Sequence, residues 1–260
     1  MARTVSWFSC GAASAYATYL ASKKYPDLEV IYCRVIQEHD DNLKFLKAFE
    51  EKTGIKIKTI MNEEFEGDIY KVFRKRKFIK SANGAPCTMI LKKEMRKQQQ
   101  NLSDVQIFGY TAEEQDRVDK LIDGEPTIIL DNILIDDGIT KKQCFQWLVD
   151  MGFELPTMYK LGYSNNNCVG CVKGGMGYWN AIRKDFPTKF EEMAALEREL
   201  GFSINKEILG KDINGKPIYG TVFLDELDPN RGNFKRDQPP SCGFNCEWKQ
   251  PDFLTESKQD

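Results

Sequence analysis

The sequence has little histidine: His39 is the single one among 260 residues, against eight cysteines. It contains no apolar run near the ~20 residues that a membrane-spanning helix needs, and its first residues do not resemble a signal peptide. Basic and acidic side chains nearly balance, 37 against 39, which leaves a net charge of −2. These absences argue against membrane association and against a bulk field that attracts nucleic acid. We expect a cytoplasmic protein whose metal site, if it has one, is rich in thiolates.

Residues 1–160 alternate short β-branched or aromatic runs with longer helix-period segments, which is typical of a parallel sheet covered by helices on both faces. The predicted strands are Thr4 to Phe8, Glu29 to Cys33, Lys56 to Ile60, Val105 to Gly109 and Thr127 to Leu130. The predicted helices are Ala12 to Lys24, Asp41 to Thr53, Asp68 to Arg76, Thr88 to Lys97, Glu113 to Ile122 and Lys141 to Met151. The fold class is therefore α/β, a doubly wound and mostly parallel five-stranded sheet.

Residues 161–260 differ in character and are predicted to form a cysteine-rich C-terminal region. A loop rich in Gly and Asn precedes two helical stretches, Tyr178 to Phe186 and Thr188 to Leu200. Alternating apolar positions at 204–224 surround Asn214-Gly215, a pair that favours a two-residue hairpin turn. A polar tail follows. We expect an α/β domain at 1–160 with this region appended to it.

The first predicted strand runs into Ser9-Cys10-Gly11-Ala12-Ala13-Ser14 before the first helix. Small side chains let backbone N–H groups approach an anion, and the helix dipole adds partial positive charge. The same residues also fit a tight turn with an N-cap serine. The segment lacks the Gly-Lys-Ser/Thr ending of a Walker loop and the Gly-x-Gly-x-x-Gly of a dinucleotide site.

On these residues the chain resembles the PP-loop, or adenine nucleotide alpha hydrolase, superfamily, whose fold is HUP-like. Within it the chain is similar to phage-type phosphoadenylyl-sulfate (PAPS) reductase-like proteins. Ser9, Gly11 and Ser14 match the usual Ser-Gly-Gly-x-Asp-Ser loop, whereas Cys10 and Ala13 depart from it. Two later segments also match, Glu38-His39-Asp40-Asp41-Asn42 and the Gly-x-x-x-x-Glu of residues 109–114.

The resemblance implies a site for an adenine nucleotide: ATP, adenylyl sulfate (APS) or PAPS. The residues predicted to bind it are Ser9, Cys10, Gly11, Ala12, Ser14, His39, Lys92, Lys93, Gly109 and Glu114. His39 could equally be a pH switch or a plain exposed side chain. The basic cluster around Lys92 and Lys93 could equally be a solvated helix face.

The cysteines divide by spacing. Cys168-Val169-Gly170-Cys171 lies in a glycine- and asparagine-rich loop, and such a C-x2-C favours a metal site. Cys242 and Cys246 form a C-x3-C that could complete a four-cysteine zinc site. Cys10, Cys33 and Cys144 stand alone and are predicted to pack as small hydrophobes, with Cys10 the exception because it lies in the predicted phosphate loop.

The resemblance implies a different grouping of the same thiols. Iron–sulfur members of the reductase branch carry a Cys-Cys pair followed by basic residues, and later a Cys-x-x-Cys. Cys87 looks like the first element with its leading cysteine lost, and Cys168 with Cys171 looks like the second. Together they would hold a [4Fe–4S] cluster, with Cys246 as the fourth ligand or Cys242 in its place. Cys242-Gly243 also resembles the tail of sulfonucleotide reductases, which implies that Cys242 is a catalytic nucleophile.

Two functions from different classes follow. The first is a PAPS reductase-like enzyme, an oxidoreductase or sulfurtransferase, which would also use a thiol reductant or sulfur donor and could act on a nucleic-acid substrate. The second is a non-catalytic nucleotide- or nucleic-acid-binding module with a structural zinc held by four cysteines.

Overall fold

The protein, described by a computed structural model over residues 2–81 and 84–242, contains two sheets and a series of helices. The strands are β1 (Thr4–Phe8), β2 (Leu28–Cys33), β3 (Lys58–Ile60), β4 (Val105–Ile107), β5 (Ile129–Leu130), β6 (Asn205–Lys211) and β7 (Pro217–Val222). The helices are α1 (Ala12–Lys24), α2 (Asp41–Thr53), α3 (Ile69–Arg76), α4 (Pro86–Thr88), α5 (Met95–Gln99), α6 (Gln115–Gly124), α7 (Ile133–Asp136), α8 (Lys141–Asp150), α9 (Thr157–Lys160), α10 (Met176–Asp185) and α11 (Pro187–Leu200).

The main sheet has five strands in the order β3-β2-β1-β4-β5, and every pair is parallel. This confirms the predicted α/β class and parallel sheet. All five residues of β1 are buried, including the polar Thr4 and Ser6, as expected for a central parallel strand that is covered on both faces. The strand order reverses between β1 and β4, and in sheets of this kind ligands bind beyond the carboxyl ends of the strands at that point.

The predicted element positions are confirmed for β1, α1 and α2, whose bounds agree with the structure. The segment predicted as one helix from Thr88 to Lys97 is helical, but Met89–Glu94 is π-helical between α4 and α5. Within this turn the neighbouring Lys92 and Lys93 pair with different carboxylates, Glu38 and Glu125. The short helices α7 and α9 were not predicted because neither is long enough to show a period.

The hairpin of β6 and β7 is confirmed, but the two-residue turn predicted for it is wrong. Asp212 N donates to Lys216 O at 2.8 Å, so three residues form the loop. Gly215 closes it at φ 77°, in the left-handed region where glycine is favoured. This fits the three-residue hairpin loop that ends on a left-handed glycine.

The C-terminal region packs against the sheet domain through a shared hydrophobic cluster. It joins Val72, Phe73 and Ile90 from the first part of the chain to Trp179 and Met193 from the second. The proposed boundary at residue 160 stays a prediction. Within the described residues, no helix is long and apolar enough to cross a membrane.

Candidate functional site

A cleft opens beyond the carboxyl ends of β1 and β4, where the strand order reverses. It is lined by Trp7, Ser9, Gly11, Ala13, Ser14, Lys92, Phe108, Gly109, Tyr110, Glu114, Lys141, Tyr159, Asn165, Asn166, Asn167, Ser241 and Cys242. These residues come from the loop after β1, the loop after β4, the asparagine run and the end of the described chain. Its position is the one at which doubly wound sheets bind their ligands.

The loop after β1 directs the start of α1 into this cleft. Ser14 Oγ accepts from Ser9 N at 3.0 Å and from Ser9 Oγ at 2.9 Å, and it donates to Gly11 O at 3.0 Å. The serine pair therefore closes the turn on itself. Among the described residues no N-cap side chain bonds to the start of α1 at Gly11. Apart from Ala12 N, which donates to the Tyr159 hydroxyl, the amides of the first turn and the positive end of the helix dipole are therefore open to an anion.

Gly109 brings β4 into direct contact with this first turn of α1. A Cβ added at Gly109 would lie 2.4 Å from Ser14 N and 2.7 Å from Ala13 C. Because both neighbours are backbone atoms, only glycine fits. Gly109 therefore sets the spacing between the two loops. Its predicted contact with a nucleotide stays a prediction.

Asn166 and Tyr159 complete the loop, and sequence reasoning missed both. Asn166 Nδ2 donates to Cys10 O at 2.8 Å and to Asn42 Oδ1 at 2.7 Å. Cys10 has φ 56°, an unusual value for a residue other than glycine, and the bond from Asn166 holds its carbonyl in place. The Tyr159 hydroxyl accepts from Ala12 N at 3.4 Å. The asparagine run at 165–167 was the available signal for this contact.

Two lysines line the cleft, and they differ in whether a carboxylate neutralises their charge. Lys92 Nζ lies 2.8 Å from Glu38 Oε1, and both side chains are buried. Lys141 Nζ donates to Ser164 O at 2.6 Å and to Asn165 Oδ1 at 2.8 Å. Burial lowers the pKa of Lys141 from its ordinary value. Within the described part of the chain no carboxylate pairs with the Lys141 ammonium, so it is the better placed of the two to meet an anion.

The structure places six of the ten predicted nucleotide residues in the lining of this cleft: Ser9, Gly11, Ser14, Lys92, Gly109 and Glu114. The other four lie outside it. Cys10 is fully buried and Ala12 nearly so, beneath the loop. His39 packs edge-on against Phe186 and its Nδ1 accepts from Asp41 N at 3.2 Å. Lys93 pairs with Glu125 at 3.2 Å. Nucleotide binding by these residues stays a prediction.

Four cysteines line a second, smaller cavity beside the cleft. Cys87 comes from α4, Cys168 and Cys171 from the asparagine-rich loop, and Cys242 from the end of the described chain. Predicted Cys246 lies outside the described residues. The structure thus brings together the three thiols grouped by the resemblance and adds Cys242.

The C-x2-C turn is built for close packing. Gly170 has φ +76°, and a Cβ there would lie 3.0 Å from the Trp179 ring. Cys171 N donates to the Tyr178 hydroxyl at 2.8 Å. On the other side, Val169 N donates to Gln37 O at 2.9 Å, so the turn is tied to the segment after β2. A tight turn fixed on both sides presents its two sulfurs to the same cavity.

The thiols of this cavity differ in acidity. Burial raises the pKa of Cys168 well above its ordinary value, and the charge of Glu38 adds to the effect. Burial also raises the pKa of Cys171. Burial opposes ionisation of Cys242 as well, but the charges of Lys92 and Lys173 outweigh it and the pKa of Cys242 is lowered. Cys242 therefore ionises more readily than Cys168 or Cys171.

The donor set fits a metal that prefers thiolates, because four sulfurs from three separate segments share one cavity. Lys92 and Lys173 would offset part of their negative charge. As the side chains stand, no three or more His, Cys, Asp or Glu groups in residues 2–81 and 84–242 are gathered to hold an ion. A bound metal would therefore require the sulfurs to lie closer together than they stand here.

The remaining described cysteines are buried in the core, which confirms the packing predicted for Cys33 and Cys144 and shows that Cys10 packs in the same way. Cys10, Cys33 and Cys144 are buried in the two clusters that cover the sheet. Burial raises the pKa of Cys33 and of Cys144 to about 12, so neither is a thiolate at neutral pH.

Cys242 is a member of both linings, the cleft and the thiol cavity. The two sites are therefore adjacent and share a wall. Comparison with models of known protein families and with curated proteins finds no match to this chain.

Proposed function

We propose that this protein is an adenine-nucleotide-dependent enzyme of sulfur chemistry, similar to the PAPS reductases, with a cysteine-bound metal beside its nucleotide site. The preferred metal centre is a [4Fe–4S] cluster, and zinc is the alternative. The reaction is either reduction of an adenylyl sulfate or nucleotide-activated transfer of sulfur to an acceptor.

The cleft supports the nucleotide part of this proposal. An uncapped helix N-terminus is available to phosphate, and Lys141 supplies a cation with no carboxylate partner in the described residues. Trp7, Phe108 and Tyr110 add aromatic surface to the same lining, which suits a purine base. The loop of small residues after β1 leaves room for the phosphate to reach the backbone.

The thiol cavity supports the metal part. Cys87, Cys168 and Cys171 are the ligands implied by the resemblance, and Cys242 lies with them. When bound there, a cluster supplies a centre that polarises or exchanges sulfur, and zinc supplies a structural tie. The protein's own contribution is to orient the four sulfurs and to place Lys92 and Lys173 near them.

The single observation that carries the proposal is that the two cavities share part of their lining, Asn167 and the thiol-bearing Cys242. A nucleotide in the cleft would therefore lie next to the thiols rather than on a remote face. In the reductase version, an adenylyl sulfate and two thiol groups of a reductant give sulfite, the adenosine phosphate and a disulfide, so electrons balance. A thiol reductant is thus a required partner.

Metal analysis of anaerobically purified protein tests the metal part. Brown protein with about four irons per chain supports the cluster, whereas colourless protein with one zinc supports the structural tie. Cys168→Ser should lose the metal in either case. Cys144→Ser, which removes a buried thiol from the other side of the sheet, should retain it. If the parent protein and Cys144→Ser are both purified without metal, the metal part of the proposal is contradicted.

Product analysis with ATP, APS and PAPS tests the reaction. Release of sulfite indicates a reductase, whereas AMP with pyrophosphate from ATP indicates an adenylating enzyme. Ser14→Ala removes the hydroxyl that closes the first loop and should reduce turnover. Ser22→Ala, at the far end of α1, is the matched control. Binding without release from any of the three nucleotides would favour the non-catalytic module.

A further inference from the structure

The last described residues form a strap, residues 237–242, which crosses the asparagine run. Asn165 Nδ2 donates to Pro239 O at 2.9 Å, and Asn167 Nδ2 donates to Pro240 O at 3.0 Å. Asn167 Oδ1 in turn accepts from Cys242 N at 3.0 Å. Asp237 anchors the start of the strap, because its O accepts from Gly175 N at 2.9 Å and its Oδ2 accepts from Gly177 N at 2.8 Å. From Pro239 to Cys242 the backbone bonds among the described residues go to side chains instead.

On one side the strap is a wall of the cleft. Ser241 and Cys242 belong to the cleft lining. Arg117 Nη2 donates to Ser241 O at 3.2 Å. The same guanidinium pairs with Glu114 and lies 5.0 Å from the ring of Tyr110, and both of these line the cleft. A change in the strap's position therefore changes the shape of the cleft.

On the other side the strap reaches the thiol cavity through one side chain. Cys242 Sγ lies 3.6 Å from Thr88 Oγ1, in the lining that also contains Cys87, Cys168 and Cys171. Cys242 is not a member of any of the three hydrophobic clusters. The strap is thus held by polar contacts and by the surroundings of one sulfur.

Beyond Asp237, these few polar contacts leave the ordered and disordered forms of residues 239–242 close to each other in free energy. The net contribution of one partly exposed hydrogen bond is of the same order as the entropy cost of ordering one backbone residue. A bond between a metal and a thiolate is far stronger, so a metal ligated by Cys242 would decide whether the strap is ordered.

We propose that Cys242 is the fourth ligand of the metal held by Cys87, Cys168 and Cys171, and that this bond fixes the strap against the cleft, so that metal and nucleotide bind cooperatively. Each thiol loses its proton to solvent as its sulfur binds the metal. The inference rests on the proposed function. It replaces the predicted role of Cys242 as a nucleophile, because a sulfur bound to the metal is not free to attack a substrate.

Thermodynamic linkage allows the coupling between metal binding and nucleotide binding to be measured from either ligand. If the metal raises the affinity for nucleotide by some factor, the nucleotide raises the affinity for the metal by the same factor. We expect a factor of about tenfold, within the usual range for two sites that share an ordered segment. Equal factors from the two directions would identify one coupled equilibrium.

The experiment uses the full chain under reducing conditions, with Zn²⁺ as the metal probe and AMP as the nucleotide probe, since AMP itself binds Zn²⁺ weakly. Calorimetry measures AMP affinity for zinc-loaded and metal-free protein, and a competing chelator gives the Zn²⁺ affinity with and without saturating AMP. We expect about tenfold weaker AMP binding after metal removal. Circular dichroism of the metal-free protein establishes that the sheet is retained.

Cys242→Ser separates the ligand role from the nucleophile role. With three sulfurs left, the variant should bind Zn²⁺ more weakly, and its AMP affinity should no longer respond to the metal. Trypsin should cleave after the exposed Lys235 and Arg236 faster in this variant than in the zinc-loaded parent. Cys144→Ala, a buried thiol outside both linings, should behave as the parent.

Two failures can be told apart. If zinc-loaded parent protein binds no AMP, the nucleotide part of the proposed function is wrong and this inference fails with it. If AMP binds with the same affinity with and without metal, or if Cys242→Ser keeps the parent's Zn²⁺ affinity, the coupling is overturned and the proposed function stands.

Discussion

Replacing Gly109 with alanine tests the packing that brings the loop after β4 against the start of α1. The added Cβ would lie 2.4 Å from Ser14 N, 2.6 Å from Ser14 Cα and 2.7 Å from Ala13 C. These separations are about 1 Å short of ordinary contact, and the neighbours are backbone atoms that cannot rotate away. The variant must therefore move α1 away from β4 by about that distance.

The cost of such overpacking is ~1–3 kcal/mol, and a collision with two consecutive residues belongs at the upper end. With a urea dependence of about 3 kcal/mol/M, a loss of about 3 kcal/mol lowers the unfolding midpoint by about 1 M. Because the displaced turn also carries the first amides of α1, we expect ATP affinity to fall by at least about tenfold. Urea unfolding followed by circular dichroism, together with calorimetry, measures both effects.

Gly210→Ala is the matched control, since a Cβ at this position in β6 meets nothing within 4 Å. It should leave both the unfolding midpoint and ATP affinity close to those of the parent. The reasoning is refuted if Gly109→Ala unfolds within about 0.5 kcal/mol of Gly210→Ala, which is the usual range for harmless surface changes. Unchanged ATP affinity in a destabilised Gly109→Ala protein would instead refute the role of the turn.

Three further predictions concern charged groups. Lys141→Met should weaken ATP binding about tenfold and flatten its salt dependence, whereas the exposed neighbour Lys142→Met should do neither; a calorimetric salt series in which the two variants agree contradicts the assignment. Burial raises the pKa of Glu197 from 4.5 to about 7. Its contribution to the free energy of unfolding is therefore full below pH 4.5 and is lost as the pH rises to about 7. Glu197→Gln should remove this pH dependence from urea unfolding measured across that range. The buried Arg96 guanidinium makes two 2.6 Å bonds to Glu125, so Arg96→Leu should lower the free energy of unfolding by about 3 kcal/mol, and a loss under about 1 kcal/mol would show that the pair is dispensable.

Local sequence was sufficient for the sheet and for several element bounds. The strand Thr4–Phe8 and the helices Ala12–Lys24 and Asp41–Thr53 follow from runs of residues whose preferences and periods agree with their final environment. The π-helical turn at Met89–Glu94 did not follow, because it depends on which partners Lys92 and Lys93 find elsewhere in the fold.

The sequence by itself determined the parallel α/β class, the small-residue loop after β1 and the packing role of Cys33 and Cys144, since each is indicated by neighbours along the chain. Only the tertiary structure decided which distant residues meet. It brought Asn166 to the carbonyl of Cys10, and it placed Cys242 between the cleft and the thiol cavity. Those contacts join residues more than 70 positions apart, and no local pattern encodes them, because they arise only when the helices and the asparagine run pack on the same edge of the sheet.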